Sequence, residues 1–440
     1  MTSLSPKKRT EILDAVRRGT VPKDGLDVLA VGLDKFLDPM DQDLAKLAGG
    51  GSAFKAVRGD YGCGKTFFSR WLQERARSQN LATAEVQISE TETPLHRLET
   101  VYRRMIERLA TQSSRSAAFR GVLDSWFYVL EEDVLSNGKV DANDADTLLA
   151  ATNELMEQRL NAISRQSPSF SAALRGYRAA LAEGDAGVAE GLVAWLSGQP
   201  NVAAAVKRTA NIKGEVDHFA ALSFLQGLLV VLKDSGHPGM VLVLDEVETL
   251  QRVRGDVREK ALNALRQLID EIDAGRFPGL MLIITGTPAF FEGPQGIKKL
   301  PPLAQRLHTD FDTEMRFDNP RAPQIRLRAF DFDMLLEVGR KFRDIFADGS
   351  KVRDRILATV DDALIESLAK GVSGTLGGKT GIAPRIFLKK LVVDILDRVE
   401  LHPGFDPRKD YRLTIKQDEL NLEERNQMPA SSVEDIKLEL

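Results

Sequence analysis

The sequence predicts an α/β fold in which a mostly parallel sheet is covered by helices on both faces. The chain has 440 residues, of which 43% are hydrophobic and 28% charged, as is typical of a globular protein with a sizeable core. Short continuous apolar runs recur along it, and amphipathic helical patterns separate them, which is the order that produces parallel strands. The predicted strands are Ala53–Val57, Thr83–Ile88, Met240–Leu244, Leu280–Thr285 and Gln324–Leu327.

Helical patterns fill the segments between these strands. A basic amphipathic helix is predicted over Pro6–Arg18, and it is interpreted either as a solvated surface helix or as an arm that contacts phosphate groups. After the second strand, Thr93 is predicted to cap a helix that has Pro94 at its first position. From about 110 to 235 the pattern is helical and shows no convincing strand. This stretch therefore predicts a large helical insertion.

Composition excludes several classes of protein. Acidic residues outnumber basic ones by 64 to 60, so the net charge of −4 argues against binding polyanions through bulk positive charge. The single cysteine, Cys63, forms neither an internal disulfide nor a zinc site of its own. The N-terminus lacks the apolar core of a signal peptide, and no later run approaches the ~20 apolar residues of a membrane span. A cytoplasmic location without membrane contact is therefore expected.

The segment Gly59–Thr66 reads Gly-Asp-Tyr-Gly-Cys-Gly-Lys-Thr and matches the P-loop pattern G-x-x-x-x-G-K-S/T. It lies between a predicted strand and a predicted helix, where loop amides and the positive end of the helix dipole bind phosphate groups. Lys65 is predicted to reach the β- and γ-phosphates of a nucleotide, and the Thr66 hydroxyl to coordinate Mg²⁺. The residues whose backbone surrounds the phosphate are Gly59, Asp60, Tyr61, Gly62, Cys63 and Gly64.

Two other features of the glycine-rich segments are interpreted as having no catalytic role. Cys63 lies inside the P-loop and invites a redox role, but the loop contributes backbone amides, so a neutral small side chain is the favoured interpretation. A second cluster, Gly374–Thr380, imitates the P-loop but has Ser373 where the leading glycine must stand. We interpret it as a loop.

The third apolar run ends in two carboxylates, Asp245 and Glu246. Asp245 is predicted to hold the Mg²⁺ shell, and Glu246 to orient or deprotonate the attacking water. Two acids rather than one favour the hydrolysing P-loop classes with an additional strand over kinases. Glu248 is interpreted as a surface or capping residue, and it is the nearest alternative to Glu246.

The next apolar run carries a polar residue at its carboxyl end, where ligands bind in open α/β sheets. Thr285, and after it Thr287, is predicted to hydrogen-bond the γ-phosphate or the attacking water. The alternative is that a threonine closing a strand acts only as a local turn device.

The P-loop, the Asp245-Glu246 pair and the strand end at Thr285 resemble, in order and spacing, the AAA+ ATPases of the origin-recognition and transposition-ATPase branch. The segment Val31–Asp34 is similar to that branch's motif ahead of its first helix, although the usual arginine or glutamate is missing. Across nearly the whole chain the sequence is similar to the BrxD-type ATP-binding components of bacterial phage-exclusion (BREX) defence systems. The features behind this similarity are the basic N-terminal helix, the P-loop, the helical insertion and the segment Gly381-Ile382-Ala383-Pro384-Arg385.

The resemblance implies an AAA+ P-loop NTPase core with a parallel sheet, a large helical insertion and a C-terminal helical lid, with ATP and Mg²⁺ as cofactors. It implies four segments: 1–30 as a basic helix and linker, 31–328 as the core, 329–400 as the lid and 401–440 as a polar, acidic tail. Origin-type relatives carry a DNA-binding winged helix after the lid, and the acidic stretch from Asp418 leaves no room for one. Direct DNA binding is therefore in doubt, or it involves the helical insertion, the N-terminal helix or an assembled ring.

The resemblance also gives roles to arginines, whose planar cation suits phosphate oxygens. Arg306 lies where the superfamily places the arginine finger that reaches a neighbouring subunit's γ-phosphate, which implies a homo-oligomer. Arg385 matches the second sensor, which contacts the nucleotide in cis. The alternative for each is a surface salt bridge. Arg252, Arg254 and Arg258 are interpreted either as surface residues or as groups that face DNA in the centre of a ring.

The function predicted from these residues is ATP hydrolysis by an AAA+ component of a phage-defence system. It is expected to assemble through Arg306, on double-stranded DNA or with a helicase, a nuclease or another defence protein. The alternative is a nucleotide-gated switch, in which ATP repositions the lid, turnover is slow and the readout is partner binding. An inert structural P-loop protein would leave Glu246 and Arg306 idle, so it is the least favoured hypothesis.

Overall fold

Five parallel strands form one sheet in the order β2–β3–β4–β1–β5. This architecture comes from a computed structural model that describes residues 4–416 and 419, apart from 139, 142, 162, 163, 165, 166 and 376–382. Most of the second glycine cluster, Gly381 and Ile382, and nearly all of the acidic tail lie outside the described residues. The strands are β1 (Ala53–Arg58), β2 (Ala82–Gln87), β3 (Met240–Asp245), β4 (Leu280–Gly286) and β5 (Gln324–Arg326).

The strand order places β4 between β1 and β3, so an additional strand separates the P-loop strand from the strand that ends in Asp245. All five predicted strands are confirmed within a residue or two at each end. β3 and β4 are buried along their whole length, as strands covered on both faces should be. The registers of the parallel pairs bring the carboxyl ends of β1, β3 and β4 to one edge of the sheet.

Helices make up most of the remaining described chain. A short 3-10 helix, Val247–Gln251, follows β3 directly, and a π-helical segment, Lys390–Leu396, continues the helix Ala383–Lys389. The helices between β2 and β3 are Leu98–Arg108, Phe119–Ser136, Ala145–Arg159, Pro168–Glu183, Ala186–Leu196, Ala204–Thr209 and His218–Asp234. The other α-helices are Pro6–Arg17, Leu26–Leu29, Asp34–Ala48, Lys65–Ser78, Gly255–Asp273, Pro288–Glu292, Pro301–Arg306, Phe332–Ala347, Arg353–Thr359, Asp362–Thr375, Asp397–Leu401 and Pro407–Asp410.

Alternate residues of the strands contribute to two separate cores, because successive side chains in a strand point to opposite faces. Leu242 and Leu282 belong to a core shared with the helices between β2 and β3. Val243 and Ile283 belong to a second core, shared with the N-terminal helix, the P-loop helix (Lys65–Ser78) and the helices after β5. The second core is the one that extends to the P-loop.

The N-terminal helix, Pro6–Arg17, is partly a structural element rather than a freely solvated one. Its Ile12, Leu13 and Val16 are buried in the second core. Arg17 forms a two-point ion pair with Asp397, with distances of 3.0 Å from Nε to Oδ2 and 2.6 Å from Nη2 to Oδ1. Its basic side chains Lys7 and Lys8 are exposed, in keeping with the solvated-face interpretation for that side of the helix.

One helix start was predicted wrongly. The helix after β2 begins at Leu98, whereas Pro94 to Arg97 close a turn in which the Arg97 amide donates to the Pro94 carbonyl. The Ser89 hydroxyl accepts from the amides of Glu92 and Thr93 and holds this loop outside the helix.

In the described part of the chain, no helix combines the length and apolar character needed to cross a membrane.

Candidate nucleotide-binding site

The P-loop connects β1 to the helix Lys65–Ser78 and depends on its glycines. Gly62 and Gly64 adopt left-handed φ angles of +79° and +95°, which residues with a Cβ rarely adopt. A Cβ on Gly59 would overlap the Sγ of Cys63, because that side chain folds back under the loop. The pattern of glycines therefore follows from the backbone path, and Cys63 fills the space that Gly59 leaves open.

Cys63 is a buried thiol rather than a reactive one. Burial raises the pKa of the Cys63 thiol, and the nearby charge of Lys65 offsets this effect only in part. A thiol kept protonated is a poor nucleophile. The geometry gives the redox interpretation no support.

Lys65 is buried, and its ammonium group lies over the loop that carries it. Its Nζ donates hydrogen bonds to the carbonyl oxygens of Gly59 at 2.8 Å and Asp60 at 3.1 Å. The same Nζ lies 5.1 Å from the ring centroid of Tyr61. The loop that carries the lysine therefore also holds its ammonium group in place.

Thr66 and Asp245 bring two oxygen atoms together beside the P-loop. The Thr66 hydroxyl donates to Oδ2 of Asp245 at 3.2 Å. Burial raises the pKa of Asp245, while hydrogen bonds from Thr285 and Thr66 act in the opposite direction. A hydroxyl and a carboxylate at this spacing are hard oxygen ligands of the kind that Mg²⁺ prefers.

Glu246 stands at a sharp turn immediately after β3. Its φ of +59° is left-handed, a strained conformation for a residue with a side chain. Its amide donates to Oδ1 of Asp245 and to the hydroxyl of Thr285, both at 3.1 Å. Its half-buried carboxylate accepts a hydrogen bond of 2.8 Å from Nε2 of Gln87, the last residue of β2. The Glu246 side chain is thus engaged at the edge of the sheet.

Thr285 contacts both acids that follow β3. Its side chain is fully buried, and its hydroxyl donates to Oδ1 of Asp245 while accepting from the Glu246 amide. It therefore positions the two acids. Direct contact of Thr285 with the nucleotide or with water stays a prediction, and Thr287 is buried as well.

A cavity of about 380 Å³ opens beside the P-loop, and its lining combines polar and apolar side chains. Polar side chains come from the P-loop, from the end of β3 and from the helix Ala383–Lys389. Apolar side chains come mainly from the N-terminal segment and from the helix Phe332–Ala347. The polar lining includes Lys65, Thr66, Asp245, Glu246, Glu248 and Arg385, and the apolar lining includes Val21, Leu29, Val31, Phe36, Phe330, Met334, Val338, Phe342 and Leu388.

Glu248 is a cavity residue, so its interpretation as a surface or capping residue was wrong. Its side chain is 5% exposed. Neither of its carboxylate oxygens has a hydrogen-bond partner among the described residues. Burial raises the pKa of Glu248 to about 7, with Lys65 opposing the rise and Glu246 and Asp245 adding to it. The sequence offered no signal for its burial, which depends on how the 3-10 helix packs.

Two of the predicted arginines lie in very different places. Arg385 is half-buried, lines the cavity beside the P-loop residues, and donates to the Glu419 carbonyl at 2.8 Å. Arg306 does not line the cavity. Its side chain is 41% exposed and forms ion pairs with Asp270 at 2.6 Å and Asp273 at 2.9 Å.

The three arginines after Glu246 differ in their exposure and in their hydrogen bonds. Arg252 and Arg254 are exposed. Arg258 instead donates to the carbonyl oxygens of Leu250, Gln251 and Val253, and so fixes the turn after the 3-10 helix.

Gln87, the residue that donates to Glu246, was not predicted from the sequence. A polar residue at the end of a predicted parallel strand is nevertheless a usable signal for a site residue.

A parallel α/β sheet with a strand inserted between β1 and β3, a P-loop after β1 and paired acids after β3 defines a P-loop nucleotide-binding protein. The family described as BREX system ATP-binding protein BrxC/D matches residues 4–415, and the chain belongs to this family. It is an ATP-binding component of a BREX phage-defence system. Comparison with curated proteins finds no match. The resemblance to the origin-recognition branch of the AAA+ ATPases stays a prediction.

Proposed function

We propose that this ATP-binding component is an AAA+ ATPase that hydrolyses ATP to ADP and phosphate. The observation that supports this proposal is the convergence of Lys65, Thr66, Asp245 and Glu246 in one cavity. Phosphate recognition, metal ligands and a carboxylate for the attacking water are the elements that hydrolysis by a P-loop protein requires. Two widely separated segments of the chain supply them at one edge of the sheet.

In this mechanism the P-loop amides and Lys65 bind the phosphates, and Arg385 contacts the same nucleotide. Thr66 and Asp245 would hold Mg²⁺, which when bound neutralises the charge that develops on the phosphate oxygens. Thr285 keeps Asp245 in place through its hydroxyl. Glu246 orients or deprotonates the attacking water once its carboxylate leaves Gln87.

Arg306 is proposed to act in trans, which makes the active unit a homo-oligomer. The support is that Arg306 lies outside the cavity of its own chain and is partly exposed. Its ion pairs with Asp270 and Asp273 are of the exposed kind, which contribute at most about 1 kcal/mol each and can be exchanged for a phosphate. A neighbouring cavity would then receive its guanidinium.

The proposed setting is the bacterial cytoplasm, with double-stranded DNA and a helicase, a nuclease or another defence protein as partners. A net charge of −4 repels the DNA backbone at long range, so binding by a single subunit is expected to be weak. Assembly would align local basic groups such as Arg252 and Arg254. ATP should therefore strengthen DNA binding.

A second candidate is a nucleotide-gated switch with slow turnover. The observation that favours it is that both proposed catalytic side chains are engaged within the single chain. Glu246 binds Gln87, and Arg306 pairs with two aspartates. In this version ATP alters the helices after β5, and a partner protein reads their position.

The experiment that separates the two candidates combines ATP turnover with mass photometry, each with and without duplex DNA. The ATPase proposal expects Mg²⁺-dependent turnover that DNA stimulates, together with larger assemblies in ATP than without nucleotide. Equal DNA affinity with and without ATP would contradict assembly-dependent binding. Binding of ATP by a particle that stays monomeric and turns over very slowly would favour the switch.

A further inference from the structure

The cavity holds a buried carboxylate to which the mechanism above gives no role. Glu248 belongs to the 3-10 helix Val247–Gln251 and lines the cavity with Lys65 and Thr66. Both of its oxygens are shielded from solvent and lack a hydrogen-bond partner among the described residues. An unpaired buried carboxylate is costly, and few native groups are left in that state without a reason.

The charged groups on neighbouring elements do not satisfy this carboxylate. Arg258, from the helix Gly255–Asp273, donates to backbone carbonyls on the same turn, and Glu292, from Pro288–Glu292, pairs with Arg58. Lys65 is the nearby cation, but its hydrogen bonds go to Gly59 and Asp60. Among the described residues, none of these charged groups bonds to Glu248, and its place in the cavity lining makes a molecule bound there the candidate partner.

Glu246 differs from Glu248 in each of these respects. The Glu246 carboxylate is half-buried and accepts a hydrogen bond from Gln87 at the end of β2. That bond holds it at the sheet edge, whereas Glu248 lines the cavity with no competing partner in the described chain. Of the two glutamates, Glu248 is the one left free to accept a proton.

We propose that Glu248 is a second catalytic carboxylate of this site and accepts the proton of the attacking water, while Glu246 orients that water. The inference rests on the proposed hydrolysis of ATP. The water oxygen forms a bond to the γ-phosphorus. The bond between this phosphorus and the bridging oxygen breaks, and its electron pair stays on ADP. One proton of the water moves to the Glu248 carboxylate.

The environment of Glu248 suits a proton acceptor at neutral pH. A general base is most effective when its pKa lies near the working pH. Burial and the charges of Glu246 and Asp245 raise the pKa of Glu248 to about 7, against the opposing charge of Lys65. An ordinary exposed glutamate would be a much weaker base.

The first test compares Glu248→Gln with Glu246→Gln, and uses Glu259→Gln, an exposed acid on the helix Gly255–Asp273, as the matched control. Wild-type turnover should rise with pH and level off above about pH 7. Glu248→Gln should lower turnover by roughly 10²- to 10⁴-fold and abolish this rise, with ATP affinity unchanged. Glu246→Gln should lower turnover but keep the rise, and the control should match wild type.

Stability against pH provides a second readout that does not depend on turnover. The pKa of Glu248 is raised from its ordinary value of 4.5 to about 7, so wild-type stability should fall as pH rises through that interval. Glu248→Gln removes the buried charge, so its melting temperature should exceed that of wild type above about pH 8 and lose this advantage near pH 5. A melting temperature below that of wild type above about pH 8 would contradict the unpaired burial.

The outcomes separate this inference from the proposed function. If wild type hydrolyses ATP and Glu248→Gln keeps its rate and pH profile, Glu246 alone is the base and the inference is overturned. If wild type binds ATP but hydrolyses none, the ATPase proposal fails and the inference fails with it. Loss of turnover and of the pH-dependent rise, in a variant that melts as expected, supports Glu248.

Discussion

The nucleotide cavity and the surface around Arg306 are built in opposite ways. In the cavity, side chains from distant parts of the sequence converge, and Lys65, Asp245 and Arg385 line one space. Around Arg306 the contacts are local and superficial, since its partners Asp270 and Asp273 lie on one neighbouring helix and all three side chains are at least partly exposed. The cavity is lined by residues of one chain, whereas the proposed catalytic role of Arg306 requires a second chain.

This difference predicts that substitutions in the two regions have separable effects. A cavity residue affects its own subunit, and it should change binding and turnover together. A residue that acts in trans affects its neighbour, and it should change turnover alone.

Lys65→Ala should abolish ATP binding and, with it, all turnover. Its ammonium group is the proposed phosphate ligand of the P-loop, and the alanine removes that charge from the cavity. Titration calorimetry measures the effect, with the exposed Lys298→Ala as the control. Unchanged ATP affinity in Lys65→Ala would refute the P-loop assignment.

Arg306→Ala should bind ATP normally and lose most hydrolysis. An arginine finger contributes on the order of 10³–10⁵ to the rate of P-loop enzymes. Arg316→Ala is the matched control, since Arg316 is 70% exposed and pairs only locally with Glu314. Steady-state turnover and calorimetry on the same preparations separate the two quantities.

Mixing the two inactive variants sharpens this prediction. Assemblies of Arg306→Ala with Lys65→Ala contain interfaces where an intact cavity meets an intact arginine, so some activity should return. No recovery in a mixture shown to co-assemble would remove Arg306 from trans catalysis and favour the switch.

Gly32→Ala tests the apolar lining of the cavity. Gly32 has a φ of +70°, and a Cβ there would lie 2.6 Å from Cε of Met334, which lines the cavity. The strained backbone should lower stability by ~1–2 kcal/mol, and displacement of Met334 into the cavity should weaken ATP binding by up to about tenfold.

Gly50→Ala is the control for this substitution. Gly50 has a similar φ of +82°, but a Cβ there meets no atom within 4 Å. It should show a comparable loss in melting temperature with unchanged ATP affinity. If both variants lost affinity equally, the effect would come from general destabilisation and not from the cavity wall.

The strands β3 and β4 were the most predictable, because each is a short apolar run whose residues are buried on both faces. The helix start at Thr93 was predicted wrongly, although Thr93 and Pro94 carry the usual signals. The Ser89 hydroxyl takes the amides of Glu92 and Thr93, and this local competition delays the helix to Leu98. Such competition between nearby hydrogen-bond partners depends on the loop path, which periodicity does not describe.

By itself, the sequence determined the P-loop, the position of the paired acids and the parallel order of strands and helices. These features depend on short-range chemistry: glycine conformations, apolar runs and the direction of helix dipoles. The packing of these elements revealed that Thr285 contacts Asp245, that Gln87 binds Glu246 and that Glu248 is buried. The physical reason is that accessibility and pairing are set by the elements that pack over a residue, and here these elements come from parts of the chain far apart in sequence.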